Sequence, residues 1–114
     1  MLPVRKFKSG TIIFEEGSYG VMMYIVVEGS VQLYVINNKK EVELSVVGHS
    51  DFFGEIEMYG NSPRGFSART LSDTRLVCIK NRMQLEQFFA EYPAFSGKMM
   101  RIMGERLATT TASL

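Results

Sequence analysis

With 114 residues, a formal net charge of +1, 46% hydrophobic and 22% charged residues, the chain has the make-up of one small globular domain, spanning residues 1–114, with material for one real core and not for two. Near-neutral charge, with acids and bases interspersed, gives no electrostatic footing for nucleic acid on this chain alone. One cysteine, Cys78, excludes an internal disulfide and a four-cysteine iron–sulfur site.

The apolar run at residues 21–27 is too short to cross a bilayer, and residues 1–8 lack the apolar centre of a signal peptide. The expectation is a reducing, cytoplasmic setting with no membrane partner. Cys78 sits in Leu76-Val77-Cys78-Ile79 and is expected to be a buried structural thiol.

In chain order, the first two-thirds reads as short strands punctuated by turn residues. Residues 5–8 are followed by the turn Ser9-Gly10 and then by Thr11-Ile12-Ile13-Phe14, which is apolar and β-branched; Glu15-Glu16-Gly17-Ser18 closes it. Residues 22–28 and 30–36 flank Gly29, which predicts a tight hairpin or a bulge. Val31, Leu33 and Val35 alternate with Gln32 and Tyr34, and Val42, Leu44 and Val46 alternate with Glu41, Glu43 and Ser45. Both patterns predict half-buried strands. Between them, Asn37-Asn38-Lys39-Lys40 is a polar loop whose asparagines tolerate positive φ. His49 follows Gly48 in a turn and reads as a solvent-facing loop residue. Many short strands at this pace predict an all-β roll or barrel.

Residues 51–68 bring chemistry together. Asp51-Phe52-Phe53 ends in Gly54, which lets backbone approach a ligand, and residues 55–59 are predicted to form about one and a half helical turns with free N-terminal amides. Such an end attracts anions. Gly60-Asn61-Ser62-Pro63 stops the helix, since Pro63 lacks a donor and biases Ser62 toward extended geometry. Arg64 then faces the same hollow with a planar fork that matches two phosphate oxygens. An ionised Glu55 only accepts hydrogen bonds, so its natural partner is a ligand hydroxyl or amine. Taken singly, Arg64 equally fits a solvated turn arginine and Glu55 a first-turn helix acid. Tyr34 and Tyr59 are placed to stack on a base or, more simply, to pack.

After Lys80 the apolar period changes. Asn81 is an N-cap candidate, and Leu85, Phe88 and Phe89 share one helix face. Pro93 suits the first turn of a second helix, along which Phe95, Met99, Ile102, Met103 and Leu107 form an apolar stripe opposite Lys98, Arg101 and Glu105. Residues 109–114 have no period and are expected to fray.

Phe53-Gly54-Glu55-Ile56, followed by Ser62-Pro63-Arg64, resembles the phosphate-binding cassette of cyclic-nucleotide-binding domains, the family of the bacterial catabolite activator and of the regulatory subunits of cyclic-AMP-dependent kinase. The nine-residue step from Glu55 to Arg64 resembles the kinase type. Residues 9–17 resemble the family's opening hairpin, residues 23–31 its central one and residues 71–76 its last turn, so the likeness runs from about residue 3 to residue 107. It implies that Glu55 holds the ribose 2′-hydroxyl and Arg64 the cyclic phosphate, with backbone contributions from Gly54, Ile56 and Gly65. Two positions depart from the pattern: Gly65 supplies an amide but no hydroxyl, and Phe66 stands where alanine is usual. A Phe66 ring turned inward fills the space the phosphate needs; turned outward, it packs beneath the pocket. A third departure is Val21 after Gly20, where the family often has an acid.

The expected fold is therefore mainly β: an antiparallel, jelly-roll-like β-roll over about residues 3–80, a short helix in the cassette, and two C-terminal helices over about residues 81–108. The expected function is a regulatory module that binds cAMP or cGMP and signals through those helices. The alternative is a ligand-free domain of the same fold serving as a protein-interaction or dimerisation unit. The resemblance implies a homodimer through the C-terminal helix, or an attached effector domain, as the output. One histidine is too few for a metal-dependent barrel enzyme, no Ser-His-Asp or Cys-His arrangement is evident, and neither catalysis nor a metal nor a cofactor is expected.

Overall fold

β-Branched and aromatic residues set between glycine, asparagine and serine turns form eight strands among the described residues. The computed structural model describes residues 2–55 and 62–112, apart from the side chains at 95, 103 and 106–112. The predicted cassette helix beyond Glu55, with Ile56 and Tyr59, the predicted turn at Gly60-Asn61, and the side chains of Phe95, Met103 and Leu107 lie outside that description. In chain order the elements are β1 (Val4–Phe7), β2 (Ile12–Phe14), β3 (Met23–Glu28), β4 (Val31–Asn37), β5 (Lys40–Val47), β6 (Phe52–Phe53), β7 (Ser67–Thr70), β8 (Thr74–Ile79), α1 (Arg82–Glu91) and α2 (Pro93–Ala112). The chain divides into two units, Met1–Asn81 and Arg82–Leu114.

Within the first unit, two four-stranded sheets run in the orders β1-β8-β3-β6 and β2-β7-β4-β5, and their pairings are antiparallel. This is the expected jelly-roll-like β-roll, built among the described residues as two separate sheets and not as the closed barrel that the strand pattern also allowed. The core draws on both sheets: Tyr24, Val26, Phe53, Leu76 and Cys78 from one, Val31, Leu33, Val47 and Ala68 from the other. Cys78 is buried as expected, and that burial pushes its thiol pKa up. His49 is exposed, its Nδ1 2.7 Å from the Val27 carbonyl oxygen.

Two local expectations are corrected. Gly29 does not close a hairpin, because β3 and β4 belong to different sheets, and the register shift in β3 falls just before it, between Val26 and Glu28. It is a corner: its φ is +97°, and a Cβ there would stand 2.5 Å from Thr74 Oγ1 and 2.7 Å from the Asp73 carbonyl, so only glycine passes. Nor is β5 half-buried. Ser45 pairs with Leu33 and Glu43 with Tyr34, which leaves Leu44 as the extra residue of a bulge. Val46, opposite Gln32, and Val42, opposite Val35, consequently fall on opposite faces, and Val42, Leu44 and Val46 are all exposed. The β4–β5 turn matches the expectation from sequence: Asn38 and Lys39 both take positive φ in a two-residue loop.

In the second unit, α1 begins directly after Asn81 and buries Leu85 and Phe88, with the Phe88 ring 4.9 Å from that of Tyr92. Pro93 opens α2 as expected. Met99 is buried and Ile102 half-buried along its apolar stripe. The helix continues to Ala112 instead of fraying at Thr109, since adding a turn to a formed helix is cheap even without an apolar period. Among the described residues no helix is long and apolar enough to cross a membrane.

Candidate functional site

β6 delivers the first half of the site. Its two phenylalanines are almost wholly buried and pair with β3, Phe53 with Tyr24 and Phe52 with Ile25. The Val26 amide donates to the Asp51 carbonyl at 2.8 Å, which fixes the approach. The chain then turns at Gly54, whose φ is +85°. A Cβ there would meet Arg64 Nη1 at 2.9 Å and the Met22 carbonyl at 3.0 Å, so glycine is required by both conformation and space. Glu55 follows in helical conformation and is 7% exposed.

Arg64 supplies the second half. Its amide donates to the Ser18 carbonyl at 2.8 Å, and its own carbonyl accepts from the Gly17 amide at 2.7 Å, so its backbone is stitched to the loop after β2. Its side chain runs inward and is 3% exposed. Nη2 donates to the Met22 carbonyl at 2.7 Å and Nη1 to the Gly54 carbonyl at 3.4 Å. The guanidinium carbon lies 4.2 Å from the centroid of the Phe14 ring. Gly20 leaves room for this: a Cβ there would come within 3.2 Å of Nη2. A buried cation is tolerable only when its donors are engaged, and among the described residues no buried side-chain nitrogen or oxygen lacks a hydrogen-bond partner.

The structure therefore brings Gly54 and Arg64 into direct contact and buries Glu55, the residue after Gly54, although the two charged groups stand nine positions apart in sequence. Gly65 is exposed, with open space where a Cβ would stand. Phe66 is half-buried and packs against the core, 5.6 Å from the Phe14 ring. Ile56 lies outside the described residues. Sequence reasoning missed Phe14, Gly20 and the Met22 carbonyl as neighbours of Arg64. Phe14 carries no local signal beyond strand alternation, and a carbonyl carries none at all; the glycines at 17 and 20 were the available hint. Tyr24, stacked on Phe53 at 5.2 Å, belongs to the same aromatic floor. Burial pushes its phenol pKa up, against a smaller downward pull from Arg64.

The chain is similar in sequence and fold to known proteins. The chain is 32% identical over 109 residues to the CRP-like cAMP-activated global transcriptional regulator of Mycobacterium tuberculosis, covering 95% of this chain and 48% of that protein. It thus spans about half that relative's length. Among solved structures, the cAMP-bound and cGMP-bound forms of the EAL enzyme Bd1971 align with TM-scores of 0.70 at 29% and 30% identity, covering 96% and 97% of this chain and 30% of each of theirs. The Thermus thermophilus catabolite activator protein aligns with a TM-score of 0.76 over 98% of this chain and 53% of its own, at 24% identity, which speaks for the fold. The family model for the cyclic nucleotide-binding domain matches residues 4–92, a span that takes in all eight strands, and the chain belongs to that family.

Proposed function

We propose that this domain is a non-catalytic regulatory module that binds a cyclic nucleotide, cAMP or cGMP. Arg64 takes the cyclic phosphate, aided by backbone groups of Gly54, Ile56 and Gly65, and Glu55 accepts from the ribose 2′-hydroxyl. One observation carries the reading: a guanidinium 3% exposed is held against Gly54, next to a carboxylate residue 7% exposed. A buried arginine held against Gly54 and a buried glutamate next to Gly54 in the chain suit a ligand with an anion and a hydroxyl side by side. Cyclic-nucleotide-bound forms of Bd1971 support the ligand class and leave both bases open. The output is carried by α1 and α2, which respond to the ligand only as far as its contacts differ between two packings.

Calorimetric titration with cAMP and cGMP tests this directly. A micromolar ligand corresponds to about 8 kcal/mol, and removing a buried cation from its phosphate is worth about 2–5 kcal/mol. Arg64→Ala is therefore expected to weaken binding by more than about tenfold while far-ultraviolet circular dichroism stays that of the natural chain. Equal affinity in the variant would remove Arg64 from the site, and no heat with either nucleotide would leave the fold as an interaction unit.

A further inference from the structure

Carbonyl groups hold the Arg64 guanidinium by its edge, and an aromatic ring holds it by its face. At 4.2 Å from the Phe14 centroid the cation is well inside the roughly 6 Å over which a ring face attracts it, and the attraction grows when the pair is desolvated. Arg64, at 3% exposure, is desolvated. Phe14 is itself immobilised: its ring stands 6.0 Å from Tyr24, 5.9 Å from Phe53 and 5.6 Å from Phe66, and its Cα is paired with that of Ala68. The platform is thereby tied to β3 and β6 of one sheet and to β7 of the other. The two carbonyl bonds act on the edge of the guanidinium, that to Gly54 being long at 3.4 Å, whereas the ring acts on its face and so adds a restraint of a different kind.

We propose that Phe14 is a positioning residue of the site: its ring helps set the plane and height of the Arg64 fork before the ligand arrives. For its ligand this rests on the cyclic-nucleotide reading; the ring–guanidinium contact does not. Two-point recognition of a phosphate is geometric, so a fork already aimed loses less on binding than one that must be ordered. An aliphatic side chain of similar bulk at position 14 would fill the space but exert no pull on the charge.

The test uses the full chain. Phe14→Leu removes the ring, and mono-, di- and trifluorinated phenylalanine at position 14 keep its shape while draining its negative face in steps. Calorimetric Kd values for cAMP and cGMP are read together with the Arg64 Nε–H proton resonance of the ligand-free protein. Phe14→Leu is expected to weaken binding about tenfold and to abolish the upfield ring-current shift of that proton. Across the fluorinated series Kd rises stepwise while the urea midpoint barely moves. A Kd flat across the series overturns the proposal. If the natural chain binds neither nucleotide, the cyclic-nucleotide reading fails by itself, and the resonance decides: the same shift with and without the ring at position 14 overturns the positioning role. Should Phe14→Leu not fold, the fluorinated series carries the test, with the same stepwise rise in Kd expected and the same flat response overturning the proposal.

Discussion

A Cβ added at Gly65 would meet nothing within 4 Å, and its φ lies outside the left-handed region, so nothing local demands glycine there. Gly65→Ser is accordingly expected to stabilise the fold by about 0.4–1 kcal/mol through the unfolded chain. It also restores a hydroxyl donor one residue past Arg64. One hydrogen bond to a charged group should tighten cyclic-nucleotide binding by about tenfold, and calorimetry showing weaker or equal binding would place the hydroxyl away from the phosphate. Phe66 behaves differently. Its half-buried ring packs on the core beside Phe14, so Phe66→Ala is expected to lose about 2 kcal/mol of stability, the low side for a ring that is only partly buried. Binding should not tighten; a Kd several-fold lower in the variant would put the ring in the hollow.

At the scale of elements, the exposed β5 edge carries a polar side-chain network in addition to its backbone ladder with β4. Arg69 on β7 makes two hydrogen bonds to Glu41, at 3.0 and 2.8 Å, and a third to Gln32 Oε1 at 2.6 Å, while Gln32 Nε2 donates to Glu43 at 2.9 Å. The same guanidinium lies 4.4 Å over Tyr34. Its hydrogen bonds hold the Glu41 carboxyl below the usual glutamate range. A depressed folded pKa means that this stabilisation is fully present above the unfolded pKa and is lost as pH falls through the folded one. Arg69→Gln should therefore flatten the acid limb of the stability profile: urea midpoints at neutral pH and below the glutamate range should differ less in the variant than in the natural chain. Parallel acid limbs would show that Glu41 is not coupled to Arg69. The Leu44 bulge belongs to the same edge, where an extra residue twists a strand away from pairing with another chain.

For the whole molecule, ligand linkage is the sharpest test. A ligand that binds only the folded state at a hundredfold excess over its Kd adds about 2.7 kcal/mol. In a domain of this size that is a rise in Tm of about 10 °C. Saturating cAMP or cGMP should produce it in the natural chain and lose most of it in Arg64→Ala, as read by differential scanning calorimetry. An equal rise in both proteins would mean that the nucleotide binds somewhere that Arg64 does not reach.

Much was legible in the residues before any fold was known, because it depends on local physics. The Asn38-Lys39 turn, Pro93 as a helix opener and the glycine at 54 all follow from neighbouring side chains and allowed φ, whereas period-two burial in β4 holds only over residues 31–33, since Tyr34 is buried and Val35 half-buried. So did the pairing of Glu55 with Arg64 as candidates, since it rests on spacing and residue type. What misled was alternation treated as burial: Val42, Leu44 and Val46 alternate, yet a bulge sends them to different faces, and pairing register is a property of two strands rather than one. Gly29 misled for the same reason, as a corner between sheets and a hairpin look alike along one chain. The sequence alone determined which groups were available to grip an anion. Only the tertiary structure decided that Phe14, fifty residues before Arg64, would lie under its guanidinium, because a cation–ring contact records distance in space and leaves no trace in the order of residues.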